Sequence, residues 1–139
     1  MTPITEGVSC TQLKRIQHPK GDIYHAIKKS DDVFAGFGEA YFTTIFAGDL
    51  KGWKKHKEMV MNLIVPVGGV TFYIHDDNTG ITESITLQPE YYHRLTIQPG
   101  LWVAFKGLDY ALNLVLNIAS MEHDPTEAVN MPLDTFLLG

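Results

Sequence analysis

A chain of 139 residues that is 45% hydrophobic, 11% aromatic and 19% charged can bury a core without disulfides or a structural metal, which excludes a disordered or fibrous protein and predicts one domain over 1–139. Its net charge of −5 argues against nucleic acid as a partner, and its lone cysteine, Cys10, excludes an internal bridge and points to a reducing cytoplasm, with Cys10 a bystander. The first ten residues lack the basic start and apolar run of a signal peptide, and no stretch approaches the roughly 20 apolar residues of a membrane span.

Along the chain, the first ambiguous segment is Asp22-Ile23-Tyr24-His25-Ala26-Ile27-Lys28-Lys29, which suits a short helix or a strand entering a barrel, with strand favoured. Runs of strand length and β-rich composition follow at 39–46, 60–67, 70–75, 81–87, 93–97, 101–105 and 111–118. Turn signals separate them, among them Gly48-Asp49, the pair Gly68-Gly69 read as a hairpin turn, Asp76-Asp77-Asn78-Thr79-Gly80, and Gln98-Pro99-Gly100. Alternation places Ile81, Glu83, Ile85 and Leu87 on one face of their strand. In the last strand Leu112, Leu114, Leu116 and Ile118 oppose Asn113 and Asn117, so one face is apolar and the other carries amides. If the leucines face outward, the amides can meet ligand hydroxyls inside a barrel; otherwise they are ordinary surface. After Ser120 the tail, with Asp124-Pro125 and Met131-Pro132, reads as irregular or as a brief helical turn. Many short strands at this spacing predict a sandwich or barrel.

Two segments carry a family likeness. Lys51-Gly52-Trp53-Lys54-Lys55-His56-Lys57 resembles the Arg-Gly-aromatic-His-x-His-Lys element of dTDP-sugar 3,4-ketoisomerases, and the ungapped continuation brings Gly68 and Asp76 onto that family's turn glycine and strand-ending aspartate. Residues 95–108, running from Leu95 through Pro99-Gly100 and Trp102 to Leu108, are similar to the Pro-Gly segment of the dTDP-4-dehydrorhamnose 3,5-epimerases, and Glu122-His123-Asp124-Pro125-Thr126-Glu127 resembles their segment after the last core strand. The likeness spans about residues 38–127. It implies an all-β cupin, a jelly-roll double-stranded β-helix barrel. It further implies an isomerase or epimerase of 4-keto-6-deoxyhexose nucleotides in polysaccharide synthesis, needing no cofactor and forming homodimers through N-terminal strands.

The chain departs from the pattern at three chemical positions. Lys54 stands where both enzyme groups place the histidine that removes a proton beside the 4-keto group. Val103 replaces the histidine of the Pro-Gly segment, and Val115 lies near the position of the tyrosine acid. Lys51 replaces an arginine, keeping the charge for a phosphate but losing bidentate geometry.

Lys54 and His56 are two apart, so on an extended strand they share a face, which Asn62 joins if the pairing is regular. Such a pair can enolise a ketone: histidine, which titrates near neutrality, serves as base, and a lysine stabilises the enolate or itself acts as base where burial lowers its pKa. The bland alternative is that Lys51, Lys54, Lys55 and Lys57 form a solvated edge that discourages aggregation. Trp53, Tyr73, Tyr91, Tyr92 and Trp102 can stack on a base or sugar, or fill core and interface; Trp102 stands out because it follows the turn that sits at the cavity mouth in the family. The expected set is therefore His56 and Lys54 for catalysis, with Lys51, Asn62, Trp102, Asn113 and Asn117 for substrate. His25, His75, His93 and His123 have no spacing for a triad or metal site. Metal is not expected, since the pattern of metal-binding cupins would fall on Lys54, His56, Val60 or Met61, and Val103. The alternative to an enzyme is a binding module that holds a sugar or sugar nucleotide without turning it over.

Overall fold

The computed structural model describes residues 3–138, and its strands form two facing antiparallel sheets. In chain order the strands are β1 (Val8–Gln12), β2 (Arg15–Ile16), β3 (Ile23–Tyr24), β4 (Glu39–Thr44), β5 (Leu50–His56), β6 (Met61–Val67), β7 (Val70–Asp76), β8 (Ile81–Leu87), β9 (His93–Ile97), β10 (Trp102–Gly107), β11 (Leu114–Ala119) and β12 (Ala128–Asn130). One sheet has the order β1-β9-β6-β11-β4 and the other β12-β5-β10-β7-β8, while β2 and β3 form a separate ribbon. This is the all-β jelly roll expected of a cupin. Of the ambiguous segment only Ile23–Tyr24 is strand, and the stretch 25–38 runs as loop. Among the described residues no helix is long and apolar enough to cross a membrane.

The Gly68-Gly69 pair is not the hairpin turn that its sequence suggests. Strand β6 belongs to one sheet and β7 to the other, so the turn carries the chain across the barrel instead of pairing its flanks. A true hairpin follows, with β7 and β8 in register from Val70↔Leu87 to Asp76↔Ile81.

Alternation decides what fills the space between the sheets. Leu63 and Val65 from β6, Phe72 and Ile74 from β7, and Leu95 and Ile97 from β9 are all buried in one core cluster. Each such side chain contributes roughly 1.5–3 kcal/mol on leaving water. Glu83, aligned with the inward residues of β8, lies at the barrel's end, where its carboxylate accepts from the Ile4 and Thr5 N–H groups and from Thr5 Oγ1. Cys10 is half-buried against the same core, and burial pushes its thiol pKa up, which suits a packing role.

Strand β5 breaks strict alternation. Lys54 pairs with Val103 and Lys51 with Phe105, so three steps on β5 oppose two on β10. This bulge turns Lys51 and Lys54 to the same side although they are three apart. Gly52 makes it possible: its φ is +131°, and a Cβ there would sit 2.6 Å from both Cα and Cβ of Ala104. On the outer face Trp53 is fully buried, its Nε1 donating to Leu133 O at 3.2 Å and its ring edge-on to Phe136. The C-terminal residues thus cover the back of the strand whose front lines the barrel.

Replacing Gly52 by Ala is expected to cost more stability than the same change at Gly80, whose φ is +73° but whose Cβ would meet open space. Backbone strain alone accounts for about 1–3 kcal/mol at either site, and the collision with Ala104 adds to it only at Gly52. Denaturant unfolding of the two variants checks this; equal losses would show that the close approach of β5 and β10 is not a constraint.

Candidate functional site

Between the sheets lies a cavity of about 330 Å³, walled by Lys51, Lys54 and His56 from β5, Tyr41 and Thr43 from β4, and Asn117 from β11. Its floor is apolar, with Met61, Leu63, Phe72, Val103, Phe105 and Val115. A volume of this size with a mostly apolar wall and a few convergent polar groups is typical of small-molecule sites.

His56 is buried, and its Nδ1 makes a short hydrogen bond to Oε1 of Glu127, itself buried. Glu127 lies 71 positions further along the chain and comes from the turn after the last core strand. Asp124 caps the short 3₁₀ segment Pro125–Glu127 by accepting from Thr126 N at 2.9 Å, and Pro125 opens it. The chain then enters β12, which pairs Ala128 with His56, and Lys57 N donates to Glu127 O at 2.7 Å. These bonds leave the glutamate facing the imidazole. Its other oxygen accepts from the N–H groups of Glu58 and Met59 at 3.2 and 3.3 Å.

Burial by itself raises the Glu127 carboxyl, but the His56 hydrogen bond and the two backbone donors outweigh it and hold the group below its ordinary range. The glutamate is therefore an anion that accepts a proton-bearing Nδ1. Neutral His56 then carries its lone pair on Nε2, which has no hydrogen bond to any described residue on a side chain that lines the cavity.

The cavity wall is cationic. Lys51 Nζ donates to Thr44 O at 2.8 Å, whereas the half-buried Lys54 has no hydrogen bond or ion pair among the described residues. No aspartate or glutamate lines the cavity; Glu127 stands behind His56. Across from β5, Tyr41 Oη accepts from Asn117 Nδ2 at 2.9 Å, which leaves the phenol's own proton free to donate. Asn117 Oδ1 is buried with no partner among the described residues.

Four expected site residues, Lys51, Lys54, His56 and Asn117, thus share one cavity. Three others lie elsewhere. Asn62 sits between the inward Met61 and Leu63 and so faces out, where its Oδ1 accepts from Thr96 Oγ1 at 2.6 Å and its Nδ2 donates to Val33 O. Trp102 precedes the inward Val103 and also faces out, its Nε1 donating to Asp77 at 3.0 Å and Lys55 lying over its ring. Asn113 precedes β11 and spends its amide on structure: Oδ1 accepts from Gly69 N and Asp109 N, and Nδ2 donates to Ile45 O and Asp109 O. The outward leucines of β11 are half-exposed, which is the arrangement that puts Asn117 inside.

Tyr41, His123 and Glu127 were not singled out by sequence. His123 had no partner spacing, yet it lines the same cavity as Asn117. The one local signal for Glu127 was its place at the end of the Asp124-Pro125 turn. A divalent metal does not fit here: His56 and His123 are the imidazoles of the wall, and two ammonium groups share it.

No family model matches the chain, and no curated protein is similar to it in sequence. Solved structures do match. A dTDP sugar isomerase from Desulfovibrio desulfuricans G20 superposes with a TM-score of 0.89 at 29% identity over 94% of this chain and 87% of that one. QdtA, a sugar 3,4-ketoisomerase from Thermoanaerobacterium thermosaccharolyticum solved with TDP, gives 0.79 at 21% identity over 91% and 89%. ChmJ, a 3'-monoepimerase from Streptomyces bikiniensis solved with dTDP-quinovose, gives 0.84 at 16% identity over 96% and 75%. The chain therefore has the cupin fold of the dTDP-sugar isomerases and epimerases, the family that its Lys51 to Lys57 motif and its Pro99-Gly100 segment resemble.

Proposed function

We propose that this protein is an isomerase or epimerase of a 4-keto-6-deoxyhexose nucleotide, acting by enolisation, and that it serves cytoplasmic polysaccharide synthesis. The observation that carries the reading is the buried Glu127–His56 pair, which turns Nε2 toward a cavity lined on the same strand by Lys51 and Lys54 and by no carboxylate. The dTDP sugar isomerase that is 29% identical supports the substrate class.

Each side chain has a role that its position allows. His56 removes the proton next to the ketone, and Glu127 positions the imidazole and stabilises the imidazolium that forms. Lys54 compensates the negative charge that develops on the carbonyl oxygen. Lys51 meets a phosphate. Tyr41, on the opposite sheet, returns a proton from the other face, held there by Asn117, whose orphaned Oδ1 accepts a sugar hydroxyl.

A second reading, a non-catalytic binder, draws on the apolar wall residues Val103 and Val115, the first at the position of the related enzymes' histidine and the second near that of their tyrosine. Solvent-deuterium incorporation into dTDP-, GDP- and UDP-linked 4-keto-6-deoxy sugars separates the two. The expected result is exchange that falls about 10²–10⁴-fold in His56→Asn with nucleotide binding retained. Saturable binding without any exchange would establish the binder.

Glu127→Gln should lower kcat with KM little changed, because it removes the anion behind the base and no cavity contact. The same residue sets a pH dependence of stability. Its folded pKa lies below the unfolded value of about 4.3, so its contribution is complete above that value and disappears as pH falls through the lower folded value. Unfolding free energies from pH 7 to 3 should therefore decline less steeply in Glu127→Gln than in the parent.

The homodimer is part of this proposal, with its interface placed on β4 and β11 in place of the N-terminal strands that the resemblance implies. On the outer face of β4 and β11, Phe42 is 64% exposed beside the half-buried Leu114, Leu116 and Ile118, an apolar surface that a second copy would cover. Sedimentation should give twice the chain mass, and Phe42→Glu should shift it to the chain mass. A parent already at the chain mass would contradict the assignment.

A further inference from the structure

Resting on that reading, we infer that Lys54 is a covalent catalyst: its amine forms a Schiff base with the substrate's 4-keto carbon, and His56 removes the α-proton from the resulting iminium. Three observations lead there. Lys54 stands half-buried on the cavity wall with no hydrogen bond or ion pair among the described residues. A second ammonium, Lys51, shares the wall, and no carboxylate lines it to hold the charge of either. A position next to another cationic group is one setting in which a lysine amine serves as a nucleophile toward carbonyls. Finally, Lys54 and His56 alternate on one strand, so the amine and the base address the same region of the cavity.

The steps balance without redox change or a further reactant. The Lys54 ammonium gives a proton to water and its amine attacks C4; the C=O π electrons move to oxygen, which takes the proton that the nitrogen sheds, giving a neutral carbinolamine. The hydroxyl takes a proton from solvent and leaves as water, and the resulting protonated imine withdraws electrons from the adjacent C–H. His56 Nε2 takes that proton, the C–H electrons form the carbon–carbon double bond of an enamine, and the iminium charge is neutralised. Reprotonation of the α-carbon from the other face restores the iminium with inverted configuration. Water then adds at C4, and the amine leaves as the ketone re-forms. An iminium is a stronger electron sink than a ketone facing a hydrogen-bond donor, which gives a reason for lysine where related enzymes place histidine.

The test incubates the full chain with dTDP-4-keto-6-deoxyglucose and sodium cyanoborohydride, which reduces imines in preference to ketones, and follows intact mass and peptide maps. One adduct per chain, mapped to Lys54 and lost in Lys54→Arg, is expected. In parallel, ¹⁸O from water should enter the 4-keto group faster than without protein, and Lys54→Arg should return that rate to background. Deuterium exchange at the α-carbon without an adduct or accelerated ¹⁸O entry would overturn the Schiff base and leave the enolisation reading intact. An adduct at Lys54 without α-exchange would uphold the Schiff base and overturn proton removal by His56, and with it the enolisation reading. An adduct on other lysines only, or neither signal, would overturn the inference.

Discussion

The site depends on how β5 is held against β10. A regular strand of the sequence Leu-Lys-Gly-Trp-Lys-Lys-His would put Lys54 and His56 on one face but send Lys51 to the other. The extra residue at Gly52 rotates Lys51 inward, and only a residue without a Cβ can lie that close to Ala104. The same local geometry turns Trp53 outward, where it is fully buried against Trp102, Ala104 and Phe136 and donates to Leu133 O. Inside and outside are thus coupled: the apolar anchor on the back of the strand fixes the orientation of three polar side chains on its front.

The second constraint is electrostatic. A carboxylate buried behind His56 needs its own donors, and the Glu58 and Met59 N–H groups supply them. The negative charge is therefore confined to the turn side of the imidazole and does not neutralise Lys51 or Lys54. The protein carries a net charge of −5, yet the wall of this one cavity presents two ammonium groups. Such a field favours an anionic ligand with a carbonyl or phosphate oxygen directed at β5.

The strands were legible because most are β-branched or aromatic and are punctuated by glycine and proline. Boundaries at β8 and β9 coincide with the runs 81–87 and 93–97. Strand β5 was less visible, since its lysines read equally well as a solvated edge, and β1 carries only Val8 as a β-branched apolar residue. Individual site residues required something composition does not contain, the parity of each strand. Asn62 and Trp102 each sit one residue from inward positions, and that offset sends both to the outer face. Glu127 was hidden for another reason: its meaning depends on a strand 71 positions away, brought adjacent by the β12 pairing.

These positions also bear on how the chain differs from the enzymes it resembles. Val103 and Val115 line the cavity and belong to the same buried core cluster as Leu63 and Phe72, which close its apolar floor. The polar chemistry is concentrated on β5 and on the Tyr41–Asn117 pair opposite it. A base on one sheet and a hydroxyl on the other, separated by an apolar floor, address the two faces of a ring lying between them. Inversion at a carbon is served by that arrangement, and an imidazole whose tautomer is fixed by a buried carboxylate suits a general base at Nε2. Glu127 costs desolvation and uses two backbone donors. Without its side chain the Nδ1 proton of His56 and the Glu58 and Met59 N–H groups would lose their acceptor, so carboxylate, imidazole and turn are held as one unit.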